Sequence, residues 1–230
     1  MIITPISDRA LVRLIPATYH KPPSLRGLVD TEDEFAVLVE IEGLTNERLR
    51  AEQGKSASVD RRELAWSRRR ADLLLYGNSH INAAFTYTRR GGNRFNDERR
   101  GAWYCSWATL TSIAEVAFHR TRELRYIGRF SDKARYIEIL ADFIGDFADI
   151  TDEADHLALH PDPAIGYPVG QELAQALRRD EHKGLIYPSV RAPGGRCLVV
   201  FDPGSIQNVR PAASWDIIWD GSEHYSIHGV

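Results

Sequence analysis

The chain has 230 residues, of which 43% are hydrophobic and 27% charged, with a formal net charge of -3. That is enough for one large domain with a sizeable core, and nothing in the charge balance points to nucleic acid or a membrane surface as a general partner. No apolar run reaches the length of a membrane span, and the short start Met1–Ile6 is followed by Asp8 and Arg9, which excludes a signal peptide. The expected location is cytoplasmic. Cys105 and Cys197 form no CxxC pair, so neither a structural zinc nor a redox motif is indicated, and a reducing cytosol disfavours a disulfide between them.

Residues 9–17 read as a strand ending at a proline, with Arg13 in its middle. From residue 31 to 75 the chain changes character and reads as a mostly helical N-terminal insertion. Phe35, Leu38, Val39 and Ile41 stand near helical spacing, and Gly43 is expected to end that helix. Thr45 opens a second helix, Gly54–Ser58 is a flexible break, and Asp60–Leu75 is a third helix. Beyond Phe85 the pattern is mixed. Ala102–Trp107 is strand-like, Thr109–Arg120 helix-like, and Glu123–Ile127 and Ala134–Ile139 are strand candidates. Ala148–Leu159 reads as loop or short helix, and Gly166–Arg179 as an amphipathic helix. Gly184–Arg191 is a short strand interrupted by Pro188, Pro193–Gly195 a turn, and Arg196–Phe201 a buried strand. The alternation gives an α+β class.

Four local features carry chemistry. In Arg90-Gly-Gly-Asn-Arg-Phe-Asn, a glycine turn delivers Arg94. Arginine offers a rigid fork of donors for phosphate or carboxylate, and glycines let a ligand approach the backbone. Tyr104 sits in a strand and can stack on a flat heterocycle. Glu115 is flanked by apolar residues and shares a helical seam with Ser112 and His119. Ser189, with Arg191 after it, ends a short apolar strand. It lacks a nucleophile elbow, so it reads as an orienting serine. Taken singly, each of these is more often an ordinary structural residue.

Their order and spacing resemble the RES-domain family, the toxins of RES–Xre type toxin–antitoxin pairs, over roughly residues 85–210 plus Arg13. The glycine turn with Arg94, the strand tyrosine Tyr104, the helix glutamate Glu115, and the segment Gly184–Arg191 fill the family's slots. Asn93 between the glycines and the arginine, and Phe95 where tryptophan is commoner, depart from the pattern without removing a functional group. The long block 31–75 is similar to the ParT-like subgroup.

The resemblance implies an ADP-ribosyltransferase-like fold: a split, bent β-core flanked by helices, with the NAD cleft between two small sheets. It implies a single domain over 1–230 with the helical insertion, an NAD-dependent mono-ADP-ribosyltransferase activity, and a cognate antitoxin as partner. NAD is the co-substrate and no metal is required. Glu115 would stabilise the oxocarbenium-like ribose, and Arg94 would hold the pyrophosphate. Tyr104 would stack on the nicotinamide or ribose, and Ser189 would orient the ribose or brace Glu115. Arg13 would be a second phosphate contact. The acceptor would be a cellular protein, which for the ParT-like subgroup is phosphoribosyl pyrophosphate synthetase. The alternative is transfer to water or phosphate, which simply depletes NAD. A reading from another class is a non-catalytic binding module, built on Arg68–Arg70 and Arg89–Arg90 as a basic patch. A metal site at His156 and His160 is disfavoured by Pro161 and the lack of a ligand set.

Overall fold

The computed structural model describes residues 1–20, 30–45, 50, 54–55 and 77–230. Its described elements, in chain order, are β1 (Ile2–Pro16), α1 (Glu32–Thr45), α2 (Asn78–Thr86), β2 (Trp103–Ser106), α3 (Thr109–Ile127), β3 (Ser131–Asp149), α4 (Pro163–Arg179), β4 (Gly184–Pro188), β5 (Arg196–Val200), β6 (Gln207–Asp220) and β7 (Tyr225–Gly229). This is a mixed α/β architecture with one central sheet flanked by helices.

The seven strands are ordered β1-β2-β5-β4-β3-β6-β7, and β1 also pairs along β3 from Ile2↔Asp149 to Pro16↔Tyr136. β1, β2, β5, β4 and β3 therefore close on themselves, through a single β1–β2 bridge at Val12↔Ser106. The split expected of the core is found at β3, and the strands form one hydrogen-bonded network rather than two separate sheets. One edge of β3 pairs with β1. The other edge is shared: residues 131–142 pair with β6, whereas Ala148 and Asp149 pair in parallel with β4.

Buried Asp142 ties together the register shifts of β1 and β6 against β3. Its carboxylate accepts from the Ala10 N–H at 2.9 Å, from Asn208 Nδ2 at 2.9 Å and from Arg210 Nη1 at 3.0 Å. Ala10 and Asn208 both have positive φ, at the places where the registers of β1 and β6 shift against β3. The carboxylate satisfies the Ala10 N–H, which the broken ladder leaves unpaired, and holds the side chains of Asn208 and Arg210 beside it.

Three apolar clusters follow from this closure. The first is built from β1, β2, β3, β4, β5 and α2 and includes Phe143, Phe147, Trp103, Leu198 and Phe85. A second lies under α4, where Ala174 and Leu177 meet Phe95, Leu185 and Val199. The third lies under α3, where Ile113, Ala117 and Leu124 meet Leu14, Tyr136, Ile217 and Trp219.

Several sequence expectations need correction. Glu123–Ile127 is not a strand: it is the end of α3, which continues because Leu124 extends the buried stripe of Ile113 and Ala117. Gly128, at φ 74°, ends that helix in the left-handed conformation. Gly43 does not end α1, whose backbone runs on to Thr45. α1 starts at a reciprocal cap: Thr31 Oγ1 accepts from the Glu34 N–H, and Glu34 Oε2 accepts from the Thr31 N–H. The second helix of the insertion beyond Thr45, the helix Asp60–Leu75 and the arginines 68–70 lie outside the described residues. β1 starts at Ile2 rather than at residue 9, and β3 is much longer than Ala134–Ile139.

Candidate functional site

A cleft of about 530 Å³ is lined by α3, by Tyr167 of α4 and by residues of β1, β2, β4 and β5. Four of the five sequence-predicted residues, Arg13, Arg94, Tyr104 and Glu115, line it. Ser189 reaches it through Glu115: its Oγ donates to Glu115 Oε1 at 2.7 Å.

Arg94 is buried, at 8% exposure. Gly91 and Gly92 have φ of 75° and 71°, so the turn before it needs glycine. A Cβ on Gly92 would lie 2.1 Å from the Asn96 carbonyl oxygen. The arginine is clamped to α4 and the segment before it. Nη1 donates to the carbonyls of Ala158 and His160, at 2.5 and 3.0 Å, and the guanidinium stands 5.4 Å from the centre of the Tyr167 ring. Gly166 and Gly170, one turn apart on α4, make room for it. A Cβ at Gly166 would meet Nη1 at 2.7 Å, and one at Gly170 the Arg94 carbonyl at 2.3 Å. Among the described residues, only Nη1 of the fork donates a hydrogen bond.

Tyr104 does more than offer a ring. Its hydroxyl donates to Asn96 Oδ1 at 2.9 Å and accepts from the Phe95 N–H at 3.0 Å. Asn96 Oδ1 also accepts from Asn93 Nδ2 at 3.1 Å. The tyrosine therefore ties the Arg94 turn to β2. Burial raises the phenol well above its ordinary range, so it remains a hydroxyl.

Glu115 projects from α3 in the predicted seam with Ser112 and His119, and all three line the cleft. Ser112 anchors the helix: its Oγ donates to the Val12 carbonyl and contacts Ser106 Oγ at 2.6 Å. Thr109, at the start of the helix, donates to buried Glu138. Ser189 holds a loop as well as the carboxylate, because its Oγ accepts from the N–H groups of Arg191 and Ala192 at 3.1 and 3.0 Å.

Arg13 donates from Nη1 to the Tyr104 carbonyl at 3.2 Å and stands over the Trp103 ring. Burial lowers it to about 10, which leaves it charged at neutral pH. Arg89 and Arg191 also line the cleft, and Glu115 is the only carboxylate among the described residues that does. Arg89, read as part of a basic surface patch, is exposed and contacts His119 Nδ1 at 3.2 Å. Tyr167 had no signal in the sequence beyond its place in an amphipathic helix. His156 and His160 cap local turns through Nδ1, accepting from the N–H groups of Ala158 and Asp162.

The model of the RES domain family matches residues 59–220. The chain belongs to the RES domain family. The matched span of the RES domain holds Arg94, Tyr104, Glu115 and Ser189, while Arg13 lies N-terminal to it. Among solved structures, the RES chain is similar to one in the crystal structure of the M. tuberculosis MbcT–MbcA toxin–antitoxin complex. That likeness has 20% identity and a TM-score of 0.40, covering 56% of this chain and 74% of the other. No curated protein matches it with significant similarity. None of the described helices is long and apolar enough to cross a membrane.

Proposed function

We propose that this chain is the toxin of a toxin–antitoxin pair. It breaks the nicotinamide–ribose bond of NAD and passes ADP-ribose to a cellular protein. The observation that carries the reading is the braced carboxylate: Glu115, held by Ser189 at 2.7 Å, in a cleft whose other charged side chains among the described residues are arginines. Membership in the RES domain family supports it.

The chemistry follows from these groups. Nicotinamide leaves with the electron pair of the glycosidic bond, and positive charge grows on the ribose. A carboxylate fixed beside that sugar stabilises the charge where it develops. Ser189 keeps the Glu115 oxygen in place. Arg94, immobilised by two backbone carbonyls, presents its remaining N–H groups to the pyrophosphate, and Arg13 adds positive charge on the β1 side. The Tyr104 ring packs against the bound ligand, while its hydroxyl holds the Arg94 turn. The acceptor then bonds to the carbon that nicotinamide left and gives up its proton. A second cavity of about 610 Å³ shares Tyr167 with the cleft, which supports access for a protein acceptor. The whole chain works as one domain, it needs no metal, its site is cytoplasmic, and a cognate antitoxin restrains it.

The test is incubation of the purified protein with labelled NAD, alone, with cell lysate, and with phosphoribosyl pyrophosphate synthetase. A labelled protein band, lost in Glu115→Ala, is expected. Free ADP-ribose or its phosphorylated form without a band would overturn transfer to protein. NAD left intact by the folded wild-type chain would overturn the reading as a whole.

A further inference from the structure

We propose that Arg89 and His119 form a second anion grip in the cleft, taking an oxygen of the dinucleotide's pyrophosphate through the His119 Nε2–H and the Arg89 guanidinium. This rests on the reading that the cleft binds NAD.

His119 follows Glu115 by one turn of α3, and both line the cleft. Its Nδ1 lies 3.2 Å from Arg89 Nη1. A guanidinium can only donate. Nδ1 must therefore be the acceptor, which makes the ring neutral and puts its one proton on Nε2. The surroundings favour that state. Burial first, then Arg89, Arg122, Arg191 and Arg94, lower the imidazole to about 3. Of these charges Arg122 stands on α3, Arg89 and Arg94 on the segment before β2, and Arg191 on the loop after β4; the cleft around His119 also holds Glu115 of α3 and the neutral Tyr167 hydroxyl of α4. Nε2 has no hydrogen-bond partner among the described residues. His119 lines the cleft, so this proton is available to a ligand bound there.

The spacing names the ligand chemistry. Side chains four residues apart on a helix are about 6 Å apart at Cβ. That is the reach from the ribose hydroxyls of a nucleotide to the phosphate on its own 5′ carbon. With Glu115 at the ribose, His119 and Arg89 fall at the phosphate, and Arg94 grips it from the α4 side. A group with several anionic oxygens is what such an array of donors, poor in carboxylates, recognises.

The experiment uses the full chain. Steady-state NAD cleavage gives kcat and KM, and calorimetry with ADP-ribose reads binding without catalysis. Circular dichroism confirms that each variant is folded. His119→Ala should raise both KM and the ADP-ribose Kd about tenfold or more, the loss expected for one hydrogen bond to a charged group, with a smaller change in kcat. Arg89→Ala should act in the same direction. His119→Gln, whose amide N–H can stand where Nε2–H stood, should recover most of the affinity. Wild-type affinity in folded His119→Ala, or equal impairment of the Ala and Gln variants, would overturn the grip while leaving NAD cleavage intact. Failure of the wild-type chain to bind ADP-ribose at all would overturn the NAD reading, and the grip with it.

Discussion

Ser189→Ala separates two jobs that one hydroxyl performs. The Oγ donates to Glu115 and accepts from two backbone N–H groups of the following loop. For stability, the loss is two acceptor contacts on a half-exposed loop, where water can substitute. Each is worth about 1 kcal/mol at most, so the total is about 1–2 kcal/mol. In a domain of this size that lowers Tm by about 2–8 °C. For activity, the loss is a hydrogen bond to a carboxylate whose position matters in the transition state. The low end of the charged range, about 1.5 kcal/mol, applies because Glu115 is only half-buried, and it corresponds to about a tenfold fall in kcat. Thermal melting and single-turnover NAD cleavage read the two effects separately. Ser189→Thr keeps the hydroxyl and should restore both. A variant that melts earlier but turns over NAD at the wild-type rate would show that the hydroxyl only staples its loop, and the bracing of Glu115 would be refuted.

Tyr104→Phe keeps the ring and removes the ties to Asn96 and Phe95. If the hydroxyl positions the Arg94 turn, KM for NAD rises several-fold and stability falls by about 1–2 kcal/mol; an unchanged KM would mean that only the ring matters. Gly170→Ala places a Cβ 2.3 Å from the Arg94 carbonyl and should cost about 1–3 kcal/mol as overpacking, with weaker NAD binding measured by titration. Stability should also fall in acid. Burial, then His20 and Arg13, lowers buried His80 to about 4. The unfolded chain therefore binds the extra proton between about 6.5 and 4, and stability is full above that window and lost as pH falls through it. The contribution is up to about 3 kcal/mol by pH 4. Urea titrations of wild type and His80→Gln across this range should diverge in slope, and parallel curves would remove His80 as the cause.

The site was legible where local rules act on short stretches. A glycine pair before an arginine, and three polar residues at helical spacing, are patterns that survive in one dimension, and the fold brings Arg94 and the Ser112–Glu115–His119 seam to one cleft. The long-range pairings were not. β7 escaped because its residues are largely exposed, and β6 because it carries Pro211 and register shifts, so neither alternates cleanly. Tyr126 and Ile127 gave a false strand signal: they are apolar, but 83% and 68% exposed at the end of α3. The second job of Tyr104 was also hidden, because its partners Phe95 and Asn96 lie across a turn whose geometry only the fold sets.

The distribution of charge ties these observations together. The chain as a whole carries a net charge of -3, yet its cleft gathers Arg13, Arg89, Arg94 and Arg191 around one carboxylate. Like charges gathered in a low-dielectric cleft repel one another, and the fold offsets this with neutral partners. Arg94 and Arg191 donate to backbone carbonyls, Arg13 to a carbonyl beside a tryptophan ring, and Arg89 contacts a neutral histidine. Carbonyls fix a guanidinium without cancelling its charge, as a carboxylate would. The field in the cleft is therefore preserved, and on the proposed reading Glu115, the one carboxylate among the described lining residues, would meet the positive charge that NAD cleavage generates.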